Sequence, residues 1–307
     1  MRRIFLWAAR NAWLRDHLPR MGFMRRAVRR FMPGETMESA MDAAAPLQAA
    51  GIGTMYTKLG ENLESLKAAD AVADHYIAVL DAIKARGLNG EISVKPTQLG
   101  LDLDPALCAA NVRSLVERAK ATGNFVWIDM EQSRYTDATL ALCLAMRALG
   151  PQVGVCVQAY LRRTPHDVEA LIAGGAGIRL VKGAYKEPPA VAFPAKSEVD
   201  ARYLDLACRL LSDDARRAGV RAVFGTHDPR LLAAIRGHAA GQGLDAKACE
   251  FHLLYGIQRA EQERLARAGH RVSVLISYGS YWFPWYMRRL AERPANVLFV
   301  LKSLFRA

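Results

Sequence analysis

The chain is poor in cysteine: five in 307 residues, Cys108, Cys143, Cys156, Cys208 and Cys249, with no C-x-x-C and no paired spacing. That excludes a disulfide-stapled module and a zinc ribbon, and it reads the thiols as small apolar groups in a reduced interior. No apolar run approaches the roughly 18 residues needed to cross a bilayer. The N-terminus also lacks the uninterrupted apolar stretch of a secretory signal, so a cytoplasmic protein is expected. Lysine is missing from residues 1–34, which hold nine arginines and one acid, Asp16. Of the net charge of +12, +8 therefore sits in that stretch, and the remaining 273 residues carry only +4. A body without basic clustering argues against nucleic acid as a partner.

What the first 34 residues do have is aromatic and aliphatic side chains among the arginines, including Ile4, Phe5, Trp7, Trp13, Leu18, Phe23, Val28 and Phe31. This patterns as one or two amphipathic helices broken at Pro19. Such an arm either packs its apolar face on the main domain or lies on an anionic membrane surface. We assign residues 1–49 to a basic helical arm and 50–307 to the catalytic domain.

From residue 50 a rhythm sets in. Short apolar, β-branched segments at 53–58, 91–95, 125–129, 153–160, 177–183, 221–226, 249–255 and 271–277 alternate with helical stretches at 62–86, 105–122, 136–148, 165–173, 198–218 and 229–240. Alternation of this kind implies a parallel α/β sheet, and eight units imply a closed (βα)8 TIM-like barrel. An open doubly wound sheet would begin with a glycine-rich turn after its first strand, and none is present. Gly174-Gly-Ala-Gly177 precedes a strand, so it reads as a helix-ending turn rather than a phosphate cradle.

Barrel chemistry gathers at the C-terminal ends of strands. There the sequence places Lys58, Lys95, Asp129, Gln158, Lys182 with Tyr185, Thr226-His227-Asp228, Tyr255 and Tyr278. Polar groups at nearly every strand end point to a ligand mouth. The set has no paired carboxylates and no nucleophile elbow, and His227 and His252 stand on separate strands without an acidic cluster, so no metal is expected. Two chemistries stay open. Lys95 or Lys182 could form a Schiff base, as in a barrel lyase or aldolase, or the cations could hold a large anionic cofactor.

Near the C-terminus, Pro284 suits the first turn of a helix, residues 285–293 are helix formers, and Pro294 ends the run. Arg288, Arg289 and Glu292 share that helix. Either arginine could pair with Glu292 on the surface, or the two could form a bidentate carboxylate clamp.

Seven blocks decide between these readings: Ile92-Ser-Val-Lys-Pro-Thr-Gln-Leu-Gly100, Ile128-Asp-Met-Glu131, Val157-Gln-Ala-Tyr160, Ile178-Arg-Leu-Val-Lys-Gly-Ala-Tyr185, Gly225-Thr-His-Asp228, Phe251-His-Leu-Leu-Tyr-Gly256 and Arg288-Arg-Leu-Ala-Glu-Arg-Pro294. In this order they resemble the FAD-dependent proline dehydrogenase family in its short monofunctional bacterial form, from about residue 30 onward. The resemblance implies a distorted (βα)8 barrel with a final helix over its mouth. It also implies oxidation of L-proline to Δ1-pyrroline-5-carboxylate, by hydride transfer from C5 to flavin N5, with electrons passed to a quinone. Peripheral contact through residues 1–34 would then be with the inner face of the cytoplasmic membrane.

Carried over by position, Arg288 and Arg289 match the pair that grips the proline carboxylate. Glu292 and Lys95 match an ion pair closing over the site. Asp129 and Tyr185 match pocket residues, Leu254 an apolar wall, and Arg179 the arginine near flavin N5. Gln158, Lys182, Gly183, Ala184, Lys196, Thr226 and His227 match FAD contacts, and His252 stands where the family often has a Gln beside the cofactor. Pro96 replaces the usual Leu after the second-strand lysine, and Leu275 stands where a Tyr is common near the substrate. A pocket holding Arg288, Arg289, Lys95 and Arg179 would also disfavour a protonated substrate amine.

Overall fold

The computed structural model describes residues 7–8, 11–18, 21–60, 63 and 65–292. Within them, the side chains of residues 12, 15, 16, 23, 25, 27, 288, 289, 291 and 292 lie outside the described set.

Four short helices come first: α1 (Ala12–His17), α2 (Gly22–Val28), α3 (Met37–Asp42) and α4 (Ala45–Ala49). The barrel follows as β1 (Gly53–Lys58), α5 (Leu66–Ala85), β2 (Gly90–Val94), α6 (Pro105–Thr122), β3 (Val126–Ile128), α7 (Thr136–Arg147), β4 (Val153–Gln158) and α8 (Thr164–Ala173). It continues with β5 (Gly177–Val181), α9 (Lys196–Leu210), α10 (Asp213–Arg217), β6 (Ala222–Gly225), α11 (Pro229–Gly241), β7 (Glu250–Leu254), α12 (Arg259–Arg267), β8 (Arg271–Tyr278) and α13 (Trp282–Glu292). All eight strands pair in parallel and in sequence order, and β8 closes on β1 over Gly53–Lys58 and Ser273–Tyr278.

The helix boundaries have local causes. The stretch expected to begin at residue 62 becomes helical at Leu66, where the Ser65 hydroxyl accepts from the Ala68 N–H. Asp104 caps α6 in the same way through the Ala106 and Leu107 amides, and Pro105 fills its first position. The expected helix over 198–218 is two helices, because Ser212 adopts an extended backbone between α9 and α10.

Strand alternation divides the core. The outward residues of β2 and β3, such as Ile92, Val94, Val126 and Ile128, join the helices in the main apolar cluster, while Trp127 packs with Met55 and Val223 apart from it. Below the mouth the barrel encloses charge. Arg221 engages Glu91 at 2.7 Å and Glu250 at 2.5 Å, Glu250 meets His252 at 2.9 Å, and the Trp127 indole donates to Glu91 at 2.6 Å.

The arm meets the domain at both ends of the barrel. Ala40, Met41 and Ala44 are buried in the main cluster, with α3 against β8 and α4 against β1. Higher up, Met24, Val28, Phe31 and Met32 form a second cluster with Trp282, Phe283, Tyr286, Met287 and Leu290 of α13. Those α13 residues recur at intervals of four, so one face of the helix is apolar. Each such side chain contributes about 1.5–3 kcal/mol when fully buried, which holds α13 against the arm. Helix α13 begins at Trp282 rather than 285, and its indole donates to Glu35 at 2.9 Å, tying the arm to the roof.

Candidate active site

Ser93 near the end of β2, Asp129 directly after β3 and Arg179 in the middle of β5 form one hydrogen-bonded group. Ser93 donates to Asp129 at 2.9 Å, Arg179 donates to Ser93 at 2.8 Å, and Arg179 also pairs directly with Asp129. The Arg179 guanidinium is buried and lies over the Trp127 ring at 5.1 Å. Arg179 is thus not a bare cation, because a carboxylate offsets it.

Lys95 follows β2, half-buried, directly before a 3-10 turn that Pro96 opens. Next to it, Glu131 is buried and accepts from the Thr97 amide at 3.1 Å and hydroxyl at 2.8 Å. Burial pushes the Glu131 carboxyl above its ordinary value, against those bonds and the Lys95 charge. Gln158, at the end of β4, gives its amide N–H groups to the Met130 and Glu131 carbonyls at 3.3 Å each, while its Oε1 is buried without a partner. A buried acceptor left open is costly, so it marks a place for a donor from a ligand.

Outside β5 and β6, Lys182 sits between Asp200 at 2.5 Å and Asp228 at 3.1 Å. Lys196 reaches the same two carboxylates. Asp228 also caps α11, and its amide donates to the Thr226 hydroxyl at 3.1 Å. The amine that a Schiff base needs free is, at Lys182, engaged by two carboxylates. Gly183 adopts φ +107°, and a Cβ there would stand 2.2 Å from the Tyr160 ring, so only glycine fits the turn. The loop beyond, carrying Ala184 and Tyr185, is pinned by Glu187, which accepts from the Ser133 amide at 2.8 Å and hydroxyl at 2.7 Å.

The His227 ring accepts the Leu254 amide at 3.1 Å. Leu254 in turn lines a narrow apolar crevice between the mouth and α13, with Phe31, Leu275, Ser277, Trp285 and Leu290, whose cavity volume is about 10 Å³. His252 sits one layer lower, buried edge-on against Trp127 at 5.3 Å, with its bond to Glu250. Arg288, Arg289 and Glu292 are in α13, but their side chains lie outside the described residues.

The comparisons with known proteins agree on one family. The proline dehydrogenase family model matches residues 40–302. The chain is 36% identical over 307 residues to proline dehydrogenase 1 of Bacillus subtilis, covering 100% of this chain and 99% of the relative. The chain belongs to the proline dehydrogenase family. It is also 35% identical over 282 residues to proline dehydrogenase of Deinococcus radiodurans, covering 90% of this chain and 89% of that one. Among solved structures, proline utilization A from Bdellovibrio bacteriovorus, inactivated by N-propargylglycine, superposes with a TM-score of 0.80 at 22% identity, over 94% of this chain and 38% of that chain. At that identity the likeness shows the shared barrel, and this chain spans well under half of the longer protein.

Within this proline dehydrogenase fold, several contributors had gone unassigned. Ser93 and Trp127 each stand two residues before an expected site residue on the same strand face, a signal that alternation carries. Asp200 is four residues after Lys196 on one helix, also legible as an ion-pair spacing. Glu187 has no such signal, because its partner Ser133 lies 54 residues away. The departures divide by place: Leu275 faces the crevice, Pro96 starts the turn after Lys95, and His252 joins the buried charge network.

Proposed function

We propose that the chain oxidises L-proline to Δ1-pyrroline-5-carboxylate with FAD as its cofactor and a quinone as acceptor. The observation that carries this reading is the combination at the mouth: an open buried acceptor on Gln158, a cluster of cations outside β5 and β6, and an apolar crevice roofed by α13. The residues fit a flavin dinucleotide. Gln158 Oε1 suits a ring N–H, and Lys182 and Lys196 suit a diphosphate. When bound, FAD would take the hydride from proline C5 and hand the electrons to the quinone.

The protein's own part is to bind, orient and keep water out. Arg288 and Arg289 would hold the proline carboxylate through charge-assisted hydrogen bonds of roughly 1.5–3 kcal/mol each. Leu254, Leu275 and Trp285 would shield the ring from water. Asp129, itself held by Ser93, fixes the Arg179 guanidinium over Trp127, and the arginine would stabilise charge growing on the acceptor. A neutral substrate amine would be favoured by the Lys95 and α13 cations, since Arg179 is offset.

Membrane contact belongs to the same proposal. Trp7 and Trp13 are 60% and 61% exposed on an arm whose other side packs on α13, and among the described residues no helix is long and apolar enough to cross a membrane. A basic arm with outward aromatics suits the inner face of the cytoplasmic membrane, where a quinone would be met. The test of class is spectroscopic. A yellow preparation whose flavin absorption bleaches on adding L-proline supports the reading, and a colourless protein that borohydride traps with substrate overturns it.

A further inference from the structure

Beside the cations expected to meet the cofactor stand two acids that the proposed function does not use. Asp200 lies one turn into α9 and Asp228 caps α11, so both occupy helix N-termini that face the seam between β5 and β6. Asp200 meets Lys182 at 2.5 Å, pairs with Lys196, and has Arg230 at 3.8 Å. Asp228 meets Lys182 at 3.1 Å, Lys196 at 3.4 Å and Arg230 at 3.4 Å. Three cations and two carboxylates therefore leave a formal surplus of one positive charge, in a place where helix dipoles also favour anions. A bare triplet of cations would repel itself, and a diphosphate would have to compete with carboxylates already seated.

We propose that Asp200 and Asp228 act as stand-ins for the cofactor's diphosphate, holding Lys182 and Lys196 in place and setting how tightly a diphosphate-bearing flavin is retained. The proposal rests on the flavin reading above. Both aspartates are largely shielded, with side-chain exposures of 18% and 12%, so their competition is only partly damped by solvent. Neutralising one of them removes a competitor and leaves the cations to the phosphates. It should also leave unchanged the binding of a flavin without phosphate.

The experiment follows FAD released from purified holoenzyme on serial dilution, by the recovery of flavin fluorescence, at low and high salt. Asp200→Asn and Asp228→Asn are compared with the parent; at Asp228, the cap of α11, asparagine is as good a helix cap as aspartate. Each variant should retain FAD about fivefold more tightly at low salt, with a steeper loss of affinity as salt rises. Riboflavin, added to protein stripped of FAD, should bind parent and variants alike. Thermal melts confirm that each variant is folded, and two variants guard against loss of one. If the parent carries FAD but both variants hold it equally or more loosely, the stand-in role is wrong while the flavin reading survives. An equal gain for riboflavin overturns the role as well, since the effect would not act through phosphate. A parent that neither carries nor takes up FAD overturns both.

Discussion

Replacing Asp129 with alanine probes the centre of the barrel mouth. Arg179 is 4% exposed, and its charge is offset by Asp129, with Ser93 as the third member. Alanine would leave the guanidinium buried without its carboxylate, and breaking such a pair from one side costs about 3–5 kcal/mol. For a chain of 307 residues, with an unfolding entropy near 2.1 cal/mol/K per residue, that loss corresponds to a fall in Tm of about 5–8 °C. Asp129→Asn keeps the shape and one acceptor oxygen, so it should cost about half as much. Differential scanning calorimetry of the three proteins at pH 7 measures the shifts, and steady-state kinetics on the folded proteins should show proline turnover falling in the same order. An alanine variant melting within a degree of the parent would mean that Arg179 is not held by Asp129, and the orientation ascribed to it would have to be abandoned.

Other perturbations test the remaining parts. Arg289→Ala should raise KM for proline at least tenfold with FAD content unchanged, about 1.4 kcal/mol or more of lost clamp; an unaltered KM removes Arg289 from substrate binding. Glu250→Ala removes the partner that Arg221 and His252 share but leaves Arg221 its bond to Glu91, so it should cost about 1–3 kcal/mol and lower Tm by about 2–5 °C. Gly256 has φ +74°, and a Cβ there would lie 1.6 Å from the Arg30 carbonyl, so Gly256→Val should loosen the arm and speed its cleavage in limited proteolysis. Burial and the Lys58 charge lower the His75 pKa to about 4, so the unfolded chain binds the extra proton more readily. Stability from this group is present above the unfolded value, near 6.5, and is lost as pH falls towards 4; discounted for partial exposure it is about 1 kcal/mol. His75→Gln should therefore narrow the difference in Tm between pH 7 and pH 4.5.

The barrel was legible because each strand is a short β-branched run between longer helical stretches, and every expected strand is present within a few residues. Boundaries such as Leu66, set by the Ser65 cap, and the break at the extended Ser212 are local events that periodicity does not see. The grouping of Asp129 with Arg179 could not be read from spacing, since 50 residues separate them and only the barrel's curvature brings them together. The docking of Phe31 and Met32 on α13 was one of two readings of the arm, because an apolar face carries no mark of what it packs against. The structure favours contact with the domain on one side and leaves Trp13 outward on the other.

These placements bear on how a neutral barrel interior can serve a charged substrate. Charge at the mouth is largely paired: Arg179 with Asp129, and Lys182, Lys196 and Arg230 with Asp200 and Asp228, which leaves the second group one positive charge in surplus. On the proposed reading, a zwitterion such as proline would find most of that charge already paired, and its carboxylate would be drawn by the arginines proposed for the roof. The roof is held by apolar packing against the arm and Leu59, and by the Trp282–Glu35 bond. Substrate affinity should then depend on arm contacts far from the strands. Glu35→Ala ought to raise KM for proline while leaving FAD retention, proposed above to depend on β4 to β6, as it was. Loss of FAD in that variant, with KM intact, would place the roof over the cofactor instead of the substrate.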